Sequence, residues 1–147
     1  MKDKFSNIYS EEIKERILKE SKPKKFKPVY RAIYHSVDSP LCKEDFYPTI
    51  MHYNNNEMPS YERQNLKTKI SNFSVSIYTS RENLIQYTDF VPSERNSANF
   101  IAVGEINISR GTASDEDEEG HINYYLFKPE DDGTNCYHDF KPLIEEE

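Results

Sequence analysis

Residues 72–84 read NFSVSIYTSRENL, and this stretch decides the predicted fold. Val75 and Ile77 lie on one side of an extended chain, with polar residues between them, which predicts a half-buried strand. Thr79 is followed three residues later by a glutamate, a spacing that fits a capping box and predicts a helix directly after the strand. A buried strand that runs into a capped helix is typical of a domain that combines helices with a sheet.

Other segments extend this pattern on both sides. Alternating or apolar runs predict further strands at Val29–His35, Phe100–Ile108 and His121–Phe127, with a short edge strand at Cys136–Phe140. Residues 10–20 predict a helix capped by Ser10, and Ser39–Phe46 predicts a short helix. The predicted fold is α+β: a single, mostly antiparallel sheet of four to five strands with two to four short helices.

Charge divides the chain into two parts. Residues 1–28 contain a predicted N-terminal helix and a basic linker with a net charge of +4, and residues 29–147 form a predicted single α+β domain with a net charge of −11. An acidic body repels nucleic-acid phosphates and attracts a basic protein surface. We therefore predict a protein partner, while solubility alone is the simpler explanation of the charge.

Composition also limits the cellular setting. The two cysteines, Cys42 and Cys136, are far apart and outside any paired motif, which favours a reduced cytoplasmic location over a disulfide framework. No apolar run reaches the ~18–20 residues that span a bilayer, so we predict no membrane association. The first residues have charge but no apolar core of a secretory signal.

An arginine on an early strand, a hydroxyl on a later strand and a strand acid occur in the order Arg31, Ser76, Glu105. This order resembles ADP-ribosyltransferase-like domains. The resemblance implies that Arg31 holds a phosphate of NAD, Ser76 braces a ribose and Glu105 stabilises an oxocarbenium ion. The sequence departs from that pattern at Asn107, where a second acid is usual. The alternative is that Arg31 is half-buried and paired with a carboxylate such as Asp45.

A second resemblance covers most of residues 29–127. The order Tyr30-Arg31, Asp45-Phe46, Ser74-Val75-Ser76 and His121 before Tyr124 is similar to small bacterial proteins of uncharacterised function. Tyrosines favour recognition because they give a large contact area at low entropic cost, or they cap the edges of a core with the hydroxyl in water. The predicted binding residues are Tyr30, Arg31, Tyr78, His121 and Tyr124.

No metal site is predicted. The four histidines, His35, His52, His121 and His138, lack ligand spacing, and strand alternation would separate Asp139 from Cys136 and His138. The acidic segment Asp115–Glu119 lacks the spacing of a calcium loop and is predicted to be a mobile, solvated loop. Phosphate-binding loops and nucleophile elbows are also missing from the sequence.

These features favour a non-enzymatic function. We predict a small soluble bacterial accessory or binding protein that acts by protein–protein contact without a cofactor, in its most specific form an immunity or antitoxin-like protein of a defence operon. The enzymatic alternative is an ADP-ribosyltransferase-like domain that uses NAD through Arg31, Ser76 and Glu105.

Overall fold

The computed structural model describes residues 1–6, 9–50, 69–88, 90, 99–128 and 134–143. Two α-helices lie wholly within these residues, α1 (Glu11–Glu20) and α2 (Arg81–Tyr87). Six strands are present: β1 (Phe26–Ile33), β2 (Val75–Tyr78), β3 (Phe100–Ile106), β4 (Gly111–Ala113), β5 (His121–Leu126) and β6 (Phe140–Pro142). Short 3-10 turns lie at Lys2–Lys4, Lys43–Phe46, Ile70–Phe73 and Thr134–Asp139.

The six strands form one sheet in the order β4-β5-β2-β1-β3-β6, and each described pairing is antiparallel. The α+β class and the antiparallel sheet are confirmed, but the predicted number of four to five strands is wrong. Strand β4 has only three residues, which is too short for an alternating pattern to be recognised. The strand predicted at Cys136–Phe140 is a 3-10 turn, and pairing with β3 begins only at Phe140.

Strand β1 starts earlier than predicted, inside the segment that looks like a linker. Phe26 pairs with Ile106 of β3, so the predicted boundary between residues 28 and 29 falls within β1. Helix α1 also packs on the sheet, because Ile13 and Ile17 share a buried cluster with Tyr125 and the ring of Phe127. Burying such side chains stabilises the fold by about 1.5–3 kcal/mol each.

Different elements cover the two faces of the sheet. On the face that we call the turn face, Val29 and Ile77 pack with Phe46 and Cys136 of the 3-10 turns. On the opposite face, which we call the helix face, Leu84 of α2 packs against strand residues such as Tyr78 and Ile101. Both faces are therefore partly covered, and the strand alternation sorts each side chain into one of two environments.

The N-cap residue predicted for α1 is confirmed, and the one predicted for α2 is wrong. The Ser10 hydroxyl accepts a hydrogen bond from the Ile13 amide at 3.2 Å, which confirms the predicted cap of α1. For α2, the predicted cap Thr79 is wrong: the hydroxyl of Ser80 accepts from the Asn83 amide at 3.0 Å. The amide of Thr79 donates to the carbonyl of Gly120, which keeps Thr79 in extended structure.

The helix predicted over residues 39–46 is wrong in length and type. Only Lys43–Phe46 is helical, as a 3-10 turn with Cys42 as its N-cap residue. The Cys42 amide donates to the carboxylate of Asp45 at 3.0 Å. This contact starts the turn three residues later than Ser39 and brings Asp45 towards β1.

Candidate functional site

Arg31 ties the turn Lys43–Phe46 to the sheet. Its Nε and one terminal nitrogen donate to the main-chain carbonyl of Asp45 at 3.2 and 3.1 Å, and the other donates to the carbonyl of Ser76 at 3.1 Å. Burial lowers the pKa of the half-buried guanidinium, although arginine stays charged. The predicted proximity to Asp45 is found, but Arg31 is held by main-chain carbonyls.

The carboxylate of Asp45 is instead bound to His35. Asp45 Oδ2 lies 2.8 Å from His35 Nε2, and His35 Nδ1 lies 2.8 Å from the carbonyl of Ser36. Carbonyl and carboxylate oxygens only accept, so both contacts are hydrogen bonds only when both ring nitrogens carry protons. Burial opposes protonation, but these two hydrogen bonds outweigh it and raise the pKa of His35.

A cysteine, a histidine and an aspartate therefore meet at one place, as in nucleophilic sites. The Cys42 thiol, however, contacts Asp45 Oδ2 at 3.6 Å, the same oxygen that binds His35. Burial, followed by Glu44 and Asp45, raises the pKa of Cys42 and keeps the thiol protonated. A nucleophilic cysteine needs a base beside it and a lowered pKa. The cluster is thus an internal brace between the end of β1 and the turn.

The sequence contains one signal for this brace. Arg31 and His35 are four residues apart on β1 and its extension, a spacing that places them on the same face. The acid that contacts both comes from a 3-10 turn ten residues further on, and that pairing depends on how the intervening loop folds.

Arg31, Ser76 and Glu105 do not converge. Strand β1 pairs Arg31 with Ala102, which puts its side chain on the turn face. Glu105 lies three residues beyond Ala102 on β3, so it points to the helix face. Ser76 pairs with Asn123 and also alternates onto the helix face, and Arg31 reaches only its main-chain carbonyl. The arrangement implied by the ADP-ribosyltransferase resemblance is not assembled.

Three of the five predicted binding residues do form a row. Tyr30 pairs with Tyr78, and Tyr78 pairs with His121, so the three lie side by side on the helix face across β1, β2 and β5. The rings of Tyr78 and His121 are 5.2 Å apart and nearly edge to face. We call Tyr30, Tyr78 and His121 the aromatic row.

The other two residues of that set lie elsewhere. Tyr124 is fully buried on the turn face, where burial raises its pKa and its hydroxyl donates to the carbonyl of Asn107 at 3.2 Å. Arg31 lies on the same face. Alternation along β5 therefore separates Tyr124 from His121, although the two are close in sequence.

Residues Asp115–Glu119, which we call the acidic turn, lead directly into the aromatic row. The predicted mobile loop is instead a hydrogen-bonded turn. Asp117 Oδ1 accepts from the amides of Glu119 and His121, both at 2.9 Å, and the Thr79 hydroxyl donates to Glu116 at 3.1 Å. All five residues are nevertheless exposed, and Asp115 forms an ion pair with Lys24. Glu118 and Glu119 have no ion-pair partner among the described residues.

The acidic turn also affects the pKa values of Tyr78 and His121 in the aromatic row. Burial raises the pKa of Tyr78, and Glu119 and Asp117 raise it further. Burial lowers the pKa of His121, and this outweighs the opposite effect of Asp117 and Glu119. Both groups are thus uncharged near neutral pH, and the turn beside them keeps its negative charge.

Two exposed tyrosines were not in the predicted binding set. Tyr34 is 72% exposed and its ring packs edge to face on Phe90 at 5.4 Å, and Tyr87 at the end of α2 is 43% exposed. Strand and helix patterns in the sequence predict which face a residue lies on. They do not predict whether another element of the fold covers that residue. The exposure of Tyr34 follows from its position just past β1.

The remaining predicted chemistry can be located only in part. Among the described residues no group of three or more histidines, cysteines or acids is arranged to hold a metal ion. His52 lies outside the described residues, and His138 is exposed in the turn Thr134–Asp139. Neither described helix is long and apolar enough to cross a membrane. Comparison of the chain with protein-family models, curated proteins and solved structures gives no match.

Proposed function

We propose that this protein is a small bacterial accessory protein that binds another protein through the acidic turn, beside which Tyr30 and His121 of the aromatic row are half-buried and Tyr78 is covered by α2. The observation that carries the proposal is the fixed main chain of the acidic turn. Because Asp117 accepts hydrogen bonds from the amides of Glu119 and His121, the main chain that carries the exposed carboxylates is ordered before a partner binds. A surface that is ordered in advance loses less entropy on binding.

The charge of this surface indicates the partner. Glu118 and Glu119 are exposed beside Tyr78 and His121, which are uncharged near neutral pH, so the surface is negative. A basic protein surface complements it, whereas nucleic acid is repelled. In its most specific form the proposal is an immunity or antitoxin-like role in the cytoplasm, in which this acidic surface covers a basic protein encoded nearby. Such binding needs no cofactor.

The enzymatic alternative receives no support from geometry. It needs Arg31, Ser76 and Glu105 at one cleft, and β1 and β3 hold Arg31 and Glu105 on opposite faces of the sheet.

The test is a co-purification experiment with the products of the flanking genes. The tagged protein is expressed with each product, and Glu118→Lys/Glu119→Lys is compared with Glu12→Lys/Glu20→Lys. The control pair is exposed and reverses the same charge, but it lies on α1. Its substitutions are near opposite ends of the helix, so their effects on the helix dipole offset each other.

We expect a complex with one flanking product that the acidic-turn variant loses and the α1 control keeps. Raising the salt concentration should weaken the wild-type complex, because exposed charges are screened. A clean monomer with every flanking product, or equal loss in both variants, would contradict the proposal.

A further inference from the structure

A cleft of about 430 Å³ opens at the other edge of the sheet, where the start of β1, the middle of β3 and β6 meet the turn Thr134–Asp139. Small-molecule sites usually occupy about 300–1,000 Å³. The cleft combines an apolar wall, which includes Pro28 and Val103, with several charged side chains. Its size and mixed lining suit a small polar organic molecule.

The wall of the cleft is fixed by close packing. A Cβ atom on Gly104 would lie 2.2 Å from the carbonyl oxygen of Asp139 and 2.7 Å from the ring of Phe140. The absence of that atom lets the turn sit directly on β3. Arg110 then holds the turn through an ion pair with Asp139 at 2.7 Å, in which both side chains are largely buried. The cleft is therefore formed without a ligand.

The charges in the cleft contrast with the rest of the chain. Lys27, Lys141 and His138 line it and are exposed, although the whole protein has a net charge of −7. Within the described residues, neither lysine has an ion-pair partner. Asp139, which also lines the cleft, is paired with Arg110. Lys27 and Lys141 therefore line one cleft without an ion-pair partner among the described residues.

Glu105 supplies a second type of contact. It lines the same cleft, is half-buried, and has no ion-pair partner among the described residues. A carboxylate accepts hydrogen bonds from hydroxyl groups, and acids of this kind bind the hydroxyls of a ribose in nucleotide sites. The cleft therefore offers two cations for an anion and one acceptor for hydroxyl groups.

We propose that this cleft binds a small phosphate monoester that carries hydroxyl groups, such as a sugar phosphate or a nucleoside monophosphate. The phosphate, with a charge of about −1.5 to −2 near pH 7, neutralises Lys27 and Lys141 and accepts a hydrogen bond from His138. A hydroxyl group of the ligand donates to Glu105, and its apolar part rests on Val103, which lies on the same face of β3 as Glu105. This site is independent of the acidic turn, which lies at the opposite edge of the sheet.

The test is isothermal titration of the full chain with ribose 5-phosphate, adenosine monophosphate, inorganic phosphate and ribose. Wild type is compared with Lys27→Gln/Lys141→Gln, with Glu105→Gln, and with Lys43→Gln/Lys69→Gln as a control. The control removes the same charge from two exposed lysines outside the cleft. We expect at least one of the two esters to bind more tightly than inorganic phosphate, and ribose alone not to bind.

The cleft lysine variant should bind the ester about tenfold or more weakly, since it loses two charge-assisted contacts, while the control should bind as wild type does. Glu105→Gln should reduce the preference for the ester over inorganic phosphate. A preference for adenosine monophosphate over ribose 5-phosphate would identify a nucleotide site, and the reverse a sugar-phosphate site.

Amide chemical shifts of the wild-type protein locate the binding site without relying on the folding of any variant. Addition of the bound ester should move the signals of Gly104, Phe140 and Lys141 and leave those of the acidic turn in place. Failure of both esters to bind at millimolar concentration, equal weakening in the control variant, or shift changes confined to other regions would overturn the proposal.

Discussion

The two edges of the sheet carry opposite charge and are built in different ways. At the β4–β5 edge, the acidic turn is held by hydrogen bonds from its own main chain to Asp117. At the β3–β6 edge, the cleft with Lys27 and Lys141 is formed because Gly104 lets a turn pack directly on the sheet. Both edge strands have only three residues, a length that discourages pairing with other chains.

The net charge of the whole chain therefore does not predict the charge at either edge of the sheet. A total of −7 predicts an acidic surface, yet Lys27 and Lys141 line a cleft at the edge of the sheet opposite the acidic turn. The acidic surface depends on local hydrogen bonds and the cleft on tertiary packing. Substitutions at the two edges should therefore change the free energy of unfolding by different amounts.

The largest expected effect comes from Gly104→Ala compared with Gly120→Ala. At Gly104 the added Cβ meets a main-chain oxygen and a buried ring, so we expect the free energy of unfolding to fall by about 3 kcal/mol. At Gly120, with φ of +75°, the cost is left-handed strain and contact with the ends of the Asn83 and Thr79 side chains, about 1 kcal/mol.

Urea denaturation followed by circular dichroism measures both changes. Gly104→Ala should also abolish binding in the cleft without affecting the acidic turn. Equal costs at the two positions would show that close packing does not distinguish the edges.

An intermediate effect is expected from pH, with opposite signs at two histidines. His35 has a raised pKa in the folded protein, so its contribution to stability is full below about pH 6.5 and is lost as pH rises through the folded pKa. His121 has a lowered pKa, so its contribution is present above about pH 6.5 and is lost as pH falls below that value. Each contribution is about 1 kcal/mol or less.

Unfolding free energies measured between pH 5 and pH 8.5 test these signs. His35→Gln should remove the loss of stability on the alkaline side, and His121→Gln should remove the loss on the acidic side. Identical pH profiles in the two variants would contradict the hydrogen bonds described for the brace around Asp45 or the burial of His121.

The smallest effect is expected from neutralising the acidic turn. Glu118→Gln/Glu119→Gln should raise the free energy of unfolding by a few tenths of a kcal/mol, because it relieves repulsion between exposed carboxylates. The gain should disappear in 0.5 M salt, which screens that repulsion. A loss above about 1 kcal/mol would mean that these side chains stabilise the fold, and it would weaken their proposed role as a binding surface.

The sequence by itself determined the local features of this protein. The alternation of Val75 and Ile77 predicted β2, Ser10 capped α1 as expected, and the apolar runs located most of the remaining longer strands. Each of these depends on neighbours within a few residues, and side-chain spacing and capping chemistry act over that distance.

Tertiary structure alone decided which side chains meet. The order β4-β5-β2-β1-β3-β6 brought Tyr30, Tyr78 and His121 into one row and placed Arg31 and Glu105 on opposite faces. It also built the cleft from segments that are more than a hundred residues apart. Strand register and packing over such distances are set by the whole core, and no local pattern in the sequence specifies them.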